Sequence, residues 1–203
     1  DEVDLAASDS YRAMYDHYRR NPKLKILGVT ATYERHDGKQ YTDLFETVAF
    51  NYPIQDAIRE AWLVPISQRY IETPVDLSGV SITLGELNAG ELRDTLAQGD
   101  TLKRIAWEVI QYAGDRSTLL FADSVENAET LTEIFNTHDH GSARIITGET
   151  EKEIERPQLF ADFKAGRFQR LVNVGVVTRG VDVPGIRCIA LAAPTTSINK
   201  QTQ

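Results

Sequence analysis

From Thr101 to Ala193 the sequence alternates short apolar runs with longer amphipathic stretches, and this alternation restricts the fold more than any other feature. TLKRIAWEVIQYA, SVENAETLTEIFNT and EKEIERPQLFADFKAG read as helices, the second capped by Ser124 and the third ended by Gly166. STLLFA, SARIIT, RLVNVGVV and IRCIALAA read as buried strands. Short apolar strands joined through helices make βαβ units, so the expected fold class is α/β, a parallel sheet with flanking helices. In such sheets the working residues collect on loops at the carboxyl ends of the strands.

Upstream, SDSYRAMYDHYRR places Tyr11, Met14, Tyr15 and Tyr18 at helical spacing behind a Ser8 or Asp9 cap. Asn21-Pro22 ends that helix, and KLKILGVTAT follows as a short buried strand through Leu24, Ile26, Leu27 and Val29. IQDAIREAW reads as a short helix started by Pro53, and LVPISQRYIETPVDL, with two prolines, as an edge or linking segment. Between Gly79 and Gly99 the pattern loosens. The expected organisation is one domain over 1–78, a junction over 79–100 and a second domain over 101–203.

Lys and Arg total 22 against 30 Asp and Glu, a net charge of −8, so the surface as a whole does not attract nucleic acid. A polyanion site must then be a local basic patch or a set of backbone donors. The single cysteine, Cys188, cannot form an internal disulfide and reads as core filler in a reducing, cytoplasmic compartment. No apolar run approaches a membrane span and no signal peptide is visible, although a segment upstream of Asp1 could carry one. His138 and His140 form either a metal pair or part of a turn, with no cysteine nearby to complete a zinc set. Trp62 and Trp107 read as core anchors.

Unusual polar clusters fall just after apolar runs. Thr30-Ala31-Thr32 follows KILGV, Ala122-Asp123-Ser124 follows TLLF, Thr147-Gly148 follows ARII, and Thr178-Arg179-Gly180-Val181-Asp182 follows VNVGVV. Each alone is either a cap or turn, or a ligand contact; four on one sheet edge favour a site. The opening pair Asp1-Glu2 is either solvated or catalytic, one carboxylate holding Mg²⁺ through water and its neighbour orienting an attacking water.

DEVDLAASDSYRAMYDHY, KILGVTATYERHDG, STLLFADSVENAETL and RIITGETEKEIERPQLFADFKAGRFQRLVNVGVVTRGVDVPGIRCIALAAPTTS, in that order, resemble the superfamily 2 helicases. The nearest branch includes type I and III restriction-enzyme motors and nucleotide-excision-repair translocases. DEVD resembles the Walker B box, TAT the coupling motif III, LLFADS motif IV and TRGVDVP motif V. The segment around Gly148 and Arg156 resembles the nucleic-acid-facing part of the second domain. The resemblance implies RecA-like sheets, the C-terminal portion of a first domain joined to most of a second. It implies ATP and Mg²⁺ as cofactors, with Asp1 and Glu2 catalytic and Asp1 holding the metal through water. It assigns coupling to Asp4, Thr30 and Thr32, nucleotide binding to Gly180, Asp182 and Gln203, and nucleic-acid binding to Ser124, Thr147, Gly148, Arg156 and Thr178. The implied partner is DNA, single- or double-stranded and largely sequence-independent, with RNA as the alternative and nuclease or modification subunits as further partners. Three positions depart from the branch: Asp4 stands where histidine is usual, Tyr33 where proline is usual and Arg179 where glutamate is frequent.

The sequence contains no GxxxxGK[ST], the loop that holds the β and γ phosphates. Its only Gly-Lys, Gly38-Lys39, is followed by Gln40. Gln203 resembles the first residue of QxxGRxxR, whose arginines it does not reach. The expectation is therefore a fragment of a motor, inactive alone, with exposed apolar surface on KILGV or a partner covering it. Arg144, Arg156, Lys164, Arg167 and Arg170 are either a phosphate grip or solvated helix faces. A second class of function is a non-catalytic nucleic-acid- or protein-binding module derived from a helicase, separated from the motor by whether a phosphate loop lies upstream. An unrelated α/β nucleotide-binding enzyme would explain the alternation but not the motif order.

Overall fold

The computed structural model describes residues 3, 9–30, 45–72, 75–83, 86–177, 183 and 185–194. The chain divides into two compact units, one built on residues up to Tyr70 and the other spanning Ile71–Thr196.

The first unit contains α1 (Asp9–Arg19), where the periodicity places it, and α2 (Ile54–Arg59), which starts after Pro53 as expected but stops at Arg59 rather than running to Trp62. Among its described residues Ala57 is the only buried apolar side chain, while Tyr11, Met14, Tyr18 and Trp62 are exposed. The buried strand expected through Leu24, Ile26, Leu27 and Val29 does not form; the stretch is irregular and exposed, Leu27 by 79%. One backbone bond, from the Val3 N–H to the Val29 carbonyl (3.1 Å), ties it down. A strand is stabilised by a ladder and by burial of its faces, and among the described residues of this unit no buried apolar cluster covers those side chains. The expected exposed apolar surface on 25–29 is present.

The second unit is a four-stranded parallel sheet in the order β4-β5-β3-β6, with β3 at Thr118–Phe121, β4 at Ala143–Ile146, β5 at Arg170–Asn173 and β6 at Cys188–Leu191. Helices α4 (Thr101–Ala113), α5 (Val125–His138) and α6 (Glu155–Lys164) connect and cover it. Alternate strand residues turn to opposite faces. Leu120 and Val172 enter a core with Leu102, Ala106, Val109, Leu131 and Phe135 of α4 and α5, while Leu119, Leu171 and Ile146 meet Phe163 and Phe168 on the α6 side. Burying each such large apolar side chain stabilises by about 1.5–3 kcal/mol.

The 79–100 stretch, where the sequence pattern loosens, contains regular elements. A short hairpin, β1 (Ile82–Thr83) with β2 (Glu86–Leu87), leads into α3 (Ala89–Ala97), whose Leu92 and Leu96 are buried in the first core. Its glycines do not interrupt it, because Gly90 lies in the first turn, where Asn88 Oδ1 accepts from the N–H groups of Gly90 and Glu91 (both 3.1 Å), and Gly99 lies beyond the last turn at φ +62°.

Three further expectations are corrected. Helix α6 starts at Glu155 rather than near Glu151, because the Glu155 carboxylate accepts the Glu151 N–H (2.9 Å) and holds 151–154 as a turn. Strand β5 stops at Asn173 rather than running to Val177, for a reason given below. Trp107 is a surface residue, one position outside the buried stripe of α4, where it meets His138 edge-on at 6.2 Å. Cys188 is half-buried against the first core, and Ile189 and Leu191, its neighbours on edge strand β6, are exposed on the opposite face.

Candidate nucleic-acid interface

Because β3, β4, β5 and β6 are parallel, the segments that follow them share one edge of the sheet. After β3, Ser124 caps α5: its Oγ accepts from the Asn127 N–H at 3.2 Å. The Asp123 carboxylate accepts from Asn127 Nδ2 (3.0 and 3.1 Å), and the same nitrogen reaches the Arg93 carbonyl at 3.2 Å. Asn127 is buried, so this triangle fixes the first turn of α5 against α3.

After β4, the chain folds back on itself. Thr147 Oγ1 accepts from the Glu149 N–H (3.2 Å), Thr150 Oγ1 accepts from the Thr147 N–H (3.0 Å), and the Thr150 N–H returns to the Thr147 carbonyl (3.2 Å). Arg156, in the first turn of α6, donates through Nε to the Thr150 carbonyl (2.9 Å) and through Nη2 to those of Thr147 (3.2 Å) and Gly148 (3.1 Å). Thr147 is buried and Gly148 exposed. The structure thus brings Thr147, Gly148 and Arg156 into one hydrogen-bonded loop, on the edge that also carries Ser124.

After β5, Asn173 ends the strand. It is 1% exposed; its Oδ1 accepts from the N–H groups of Val176 (3.1 Å) and Val177 (2.7 Å), and its Nδ2 donates to the Val177 carbonyl at 3.3 Å. A side chain that imitates a backbone partner closes a turn, and Gly175 supplies the left-handed residue it needs, φ +68°. This turn leads straight into 178–182. The Asn-x-Gly inside an apolar run was its signal in the sequence, hidden by the hydrophobic residues on both sides.

Of the expected site residues, Thr30 is half-buried in the first unit and has an interaction partner. Asp1, Glu2, Asp4, Thr32, Thr178, Gly180, Asp182 and Gln203 lie outside the described residues. Among the described residues no group of three or more His, Cys, Asp or Glu side chains is placed to hold a metal ion, and no helix is long and apolar enough to cross a membrane.

The five cations considered as a phosphate grip separate into different roles. Arg170 is buried at the start of β5, and this desolvation pushes its pKa down against the opposing pull of Asp139 and Asp115. Arg167 pairs with Asp162, and Arg144 lies over the ring of Phe168 at 5.9 Å while donating to the Ala143 carbonyl. Lys164 is exposed. Glu149, Glu151, Glu153 and Glu155 outnumber Lys152 and Arg156 in this stretch, so its side-chain charge is net negative and backbone donors are the phosphate-binding groups that this charge penalises least.

The model of the helicase conserved C-terminal domain matches residues 100–203. Relatives include "Putative ATP-dependent helicase IRC3" of Saccharomyces cerevisiae, 28% identical over 97% of this chain and 29% of that protein. "Putative mitochondrial ATP-dependent helicase irc3" of Schizosaccharomyces pombe is 31% identical over 93% of this chain and 31% of that protein. The chain therefore spans about three tenths of the length of these curated relatives. Among solved structures, the Pyrococcus furiosus Hef helicase domain is 25% identical with a TM-score of 0.40, over 51% of this chain and 22% of that one.

Proposed function

The chain belongs to the helicase conserved C-terminal domain family, whose model covers its second half, and on that premise we propose that it is part of an ATP-dependent superfamily 2 motor that tracks along DNA. The observation that carries this is the extent of the likeness: two proteins named as putative ATP-dependent helicases align with 97% and 93% of the chain, and so with parts of both units.

In this proposal the second unit grips the phosphate backbone along the edge that holds Ser124, Thr147 and Gly148, with Thr178 on the adjoining segment. The grip reads no bases, so affinity is nearly independent of sequence and falls with salt. Bound MgATP supplies the transferable phosphoryl group. Asp1, a hard oxygen donor, would hold the water shell of the ion, and Glu2 would orient the attacking water and take up its proton. Gly180, Asp182 and Gln203 would serve nucleotide binding, and Asp4, Thr30 and Thr32 would link its state to the grip. The 203 residues include no phosphate-cradling loop, so alone they hydrolyse little ATP. A reducing compartment suits the single thiol of Cys188.

Fluorescence anisotropy with labelled single-stranded DNA, duplex DNA and RNA of several sequences tests the grip. The expected result is binding that varies little with sequence, with the logarithm of affinity falling linearly against the logarithm of salt between about 50 and 200 mM. Salt-independent binding to one sequence would refute it, and a strong preference for RNA would replace DNA as the track.

A further inference from the structure

We propose that Arg156 is a positioning residue, one that turns the backbone amide of Gly148 outward as the donor to a nucleic-acid phosphate, rather than a phosphate ligand itself. This rests on the nucleic-acid motor proposed above.

The geometry is that of a clamp. The Nε and Nη2 hydrogens of Arg156 are directed at the carbonyls of Thr147, Gly148 and Thr150. A trans peptide is planar, with its C=O and the next N–H on opposite sides. Holding the Thr147 carbonyl against the guanidinium therefore turns the Gly148 N–H away from it. The Glu149 N–H is taken by Thr147 Oγ1 and the Thr147 N–H by Thr150 Oγ1. Among the described residues the Gly148 N–H has no acceptor, and Gly148 is exposed. The N–H groups of Lys152, Glu153 and Ile154 likewise have no acceptor among the described residues, but Gly148 is the free donor whose peptide carbonyl the arginine holds, so its dipole is reinforced by the cation.

The identity of residue 148 supports the same conclusion. A Cβ built there meets nothing within 4 Å, and its φ lies outside the left-handed region. Neither backbone conformation nor packing against the described residues requires glycine, whereas close approach by an outside backbone would favour it. Four carboxylates between Glu149 and Glu155, against Lys152 alone besides Arg156, weaken a phosphate site built on side-chain charge, whereas an amide donor with its carbonyl clamped does not depend on that balance.

The test is anisotropy of single-stranded DNA on the chain, comparing wild type with Arg156→Lys, Arg156→Gln and Gly148→Ala, alongside thermal melting of each. A lysine keeps the charge but cannot span three carbonyls, so both Arg156 variants are expected to lose about tenfold in affinity. Gly148→Ala is expected to lose a similar factor without a change in melting temperature, and Gly148→Ala with Arg156→Lys to lose no more than the worse single variant, because both remove one contact. If Nη1 of Arg156 instead reached the phosphate directly, Arg156→Lys would bind like wild type and Arg156→Gln would reduce the salt slope by about one. That pattern, or wild-type binding by Gly148→Ala, overturns the inference and leaves the motor intact. A wild-type chain that binds no nucleic acid overturns both.

Discussion

Arg170 lies over the ring of Phe135, its guanidinium carbon 5.3 Å from the ring centroid, while Nη2 donates to the Gly114 carbonyl at 3.3 Å. Gly114 caps the C-terminus of α4 and Phe135 lies in the last turn of α5, so one buried cation serves two helix ends whose dipoles are negative. Its Nε and Nη1 are buried without a hydrogen-bond partner among the described residues, which offsets much of that gain. A buried charge with unsatisfied donors is often replaced by an apolar side chain of similar volume at no cost. Arg170→Met should melt at or above the wild-type temperature, whereas Arg170→Ala, which leaves a cavity, should lose about 2–4 kcal/mol. Nucleic-acid affinity should be unchanged in Arg170→Met, because Arg170 lies at the amino end of its strand.

Asn173 satisfies two N–H groups and one carbonyl of the turn after β5. Asn173→Ala leaves the buried Val177 amide without its acceptor and should cost about 3 kcal/mol in chemical denaturation. Asn173→Asp keeps the acceptors but loses the donor and buries a charge, so it should be destabilised too. Since the turn leads into 178–182, both variants should also weaken nucleic-acid binding.

Ser124 offers a way to separate a cap from a contact. Ser124→Ala should cost about 1 kcal/mol of stability through loss of the bond to the Asn127 N–H. Ser124→Asp restores a capping acceptor but adds a negative charge on the proposed phosphate edge. Its melting temperature should return close to wild type while its DNA affinity falls below that of Ser124→Ala.

Acid should loosen the entry to the second unit. Hydrogen bonds from the Ser81 N–H and hydroxyl hold the Glu91 carboxyl below its usual range; Ser78 does the same for Asp76, and Lys103 for Asp100. A carboxyl depressed in the folded state stabilises it fully above the ordinary carboxylate range and loses that contribution as pH falls through its folded pKa. Melting temperature should therefore be level above about pH 5 and decline below about pH 4. Glu91→Gln should start lower at neutral pH and show a shallower decline.

The α/β alternation was legible because each strand of the second unit is a short apolar run and each helix carries its own signals, such as Ser124 before α5 and Gly166 after α6. Burial in the first unit was not, since Leu24, Ile26, Leu27 and Val29 have a strand's composition, and composition does not reveal whether a neighbour exists to cover it. Asn173 was missed because its turn chemistry lies inside a hydrophobic run. Thr147, Gly148 and Arg156 could be marked as one segment from sequence, but not the direction of the bonds among them. Only the structure shows the arginine turned onto carbonyls, and likewise Arg170 turned into the core, although both read as members of a basic cluster.

The most direct test of the motor is ATP hydrolysis by the product of the whole reading frame that includes these 203 residues, with and without DNA, in wild type and Glu2→Gln. The account predicts hydrolysis stimulated by DNA and reduced by at least about a hundredfold in Glu2→Gln, the scale on which a group acting on the attacking nucleophile contributes. Hydrolysis indifferent to DNA, or unaffected by Glu2→Gln, would contradict it and leave a binding module of helicase descent.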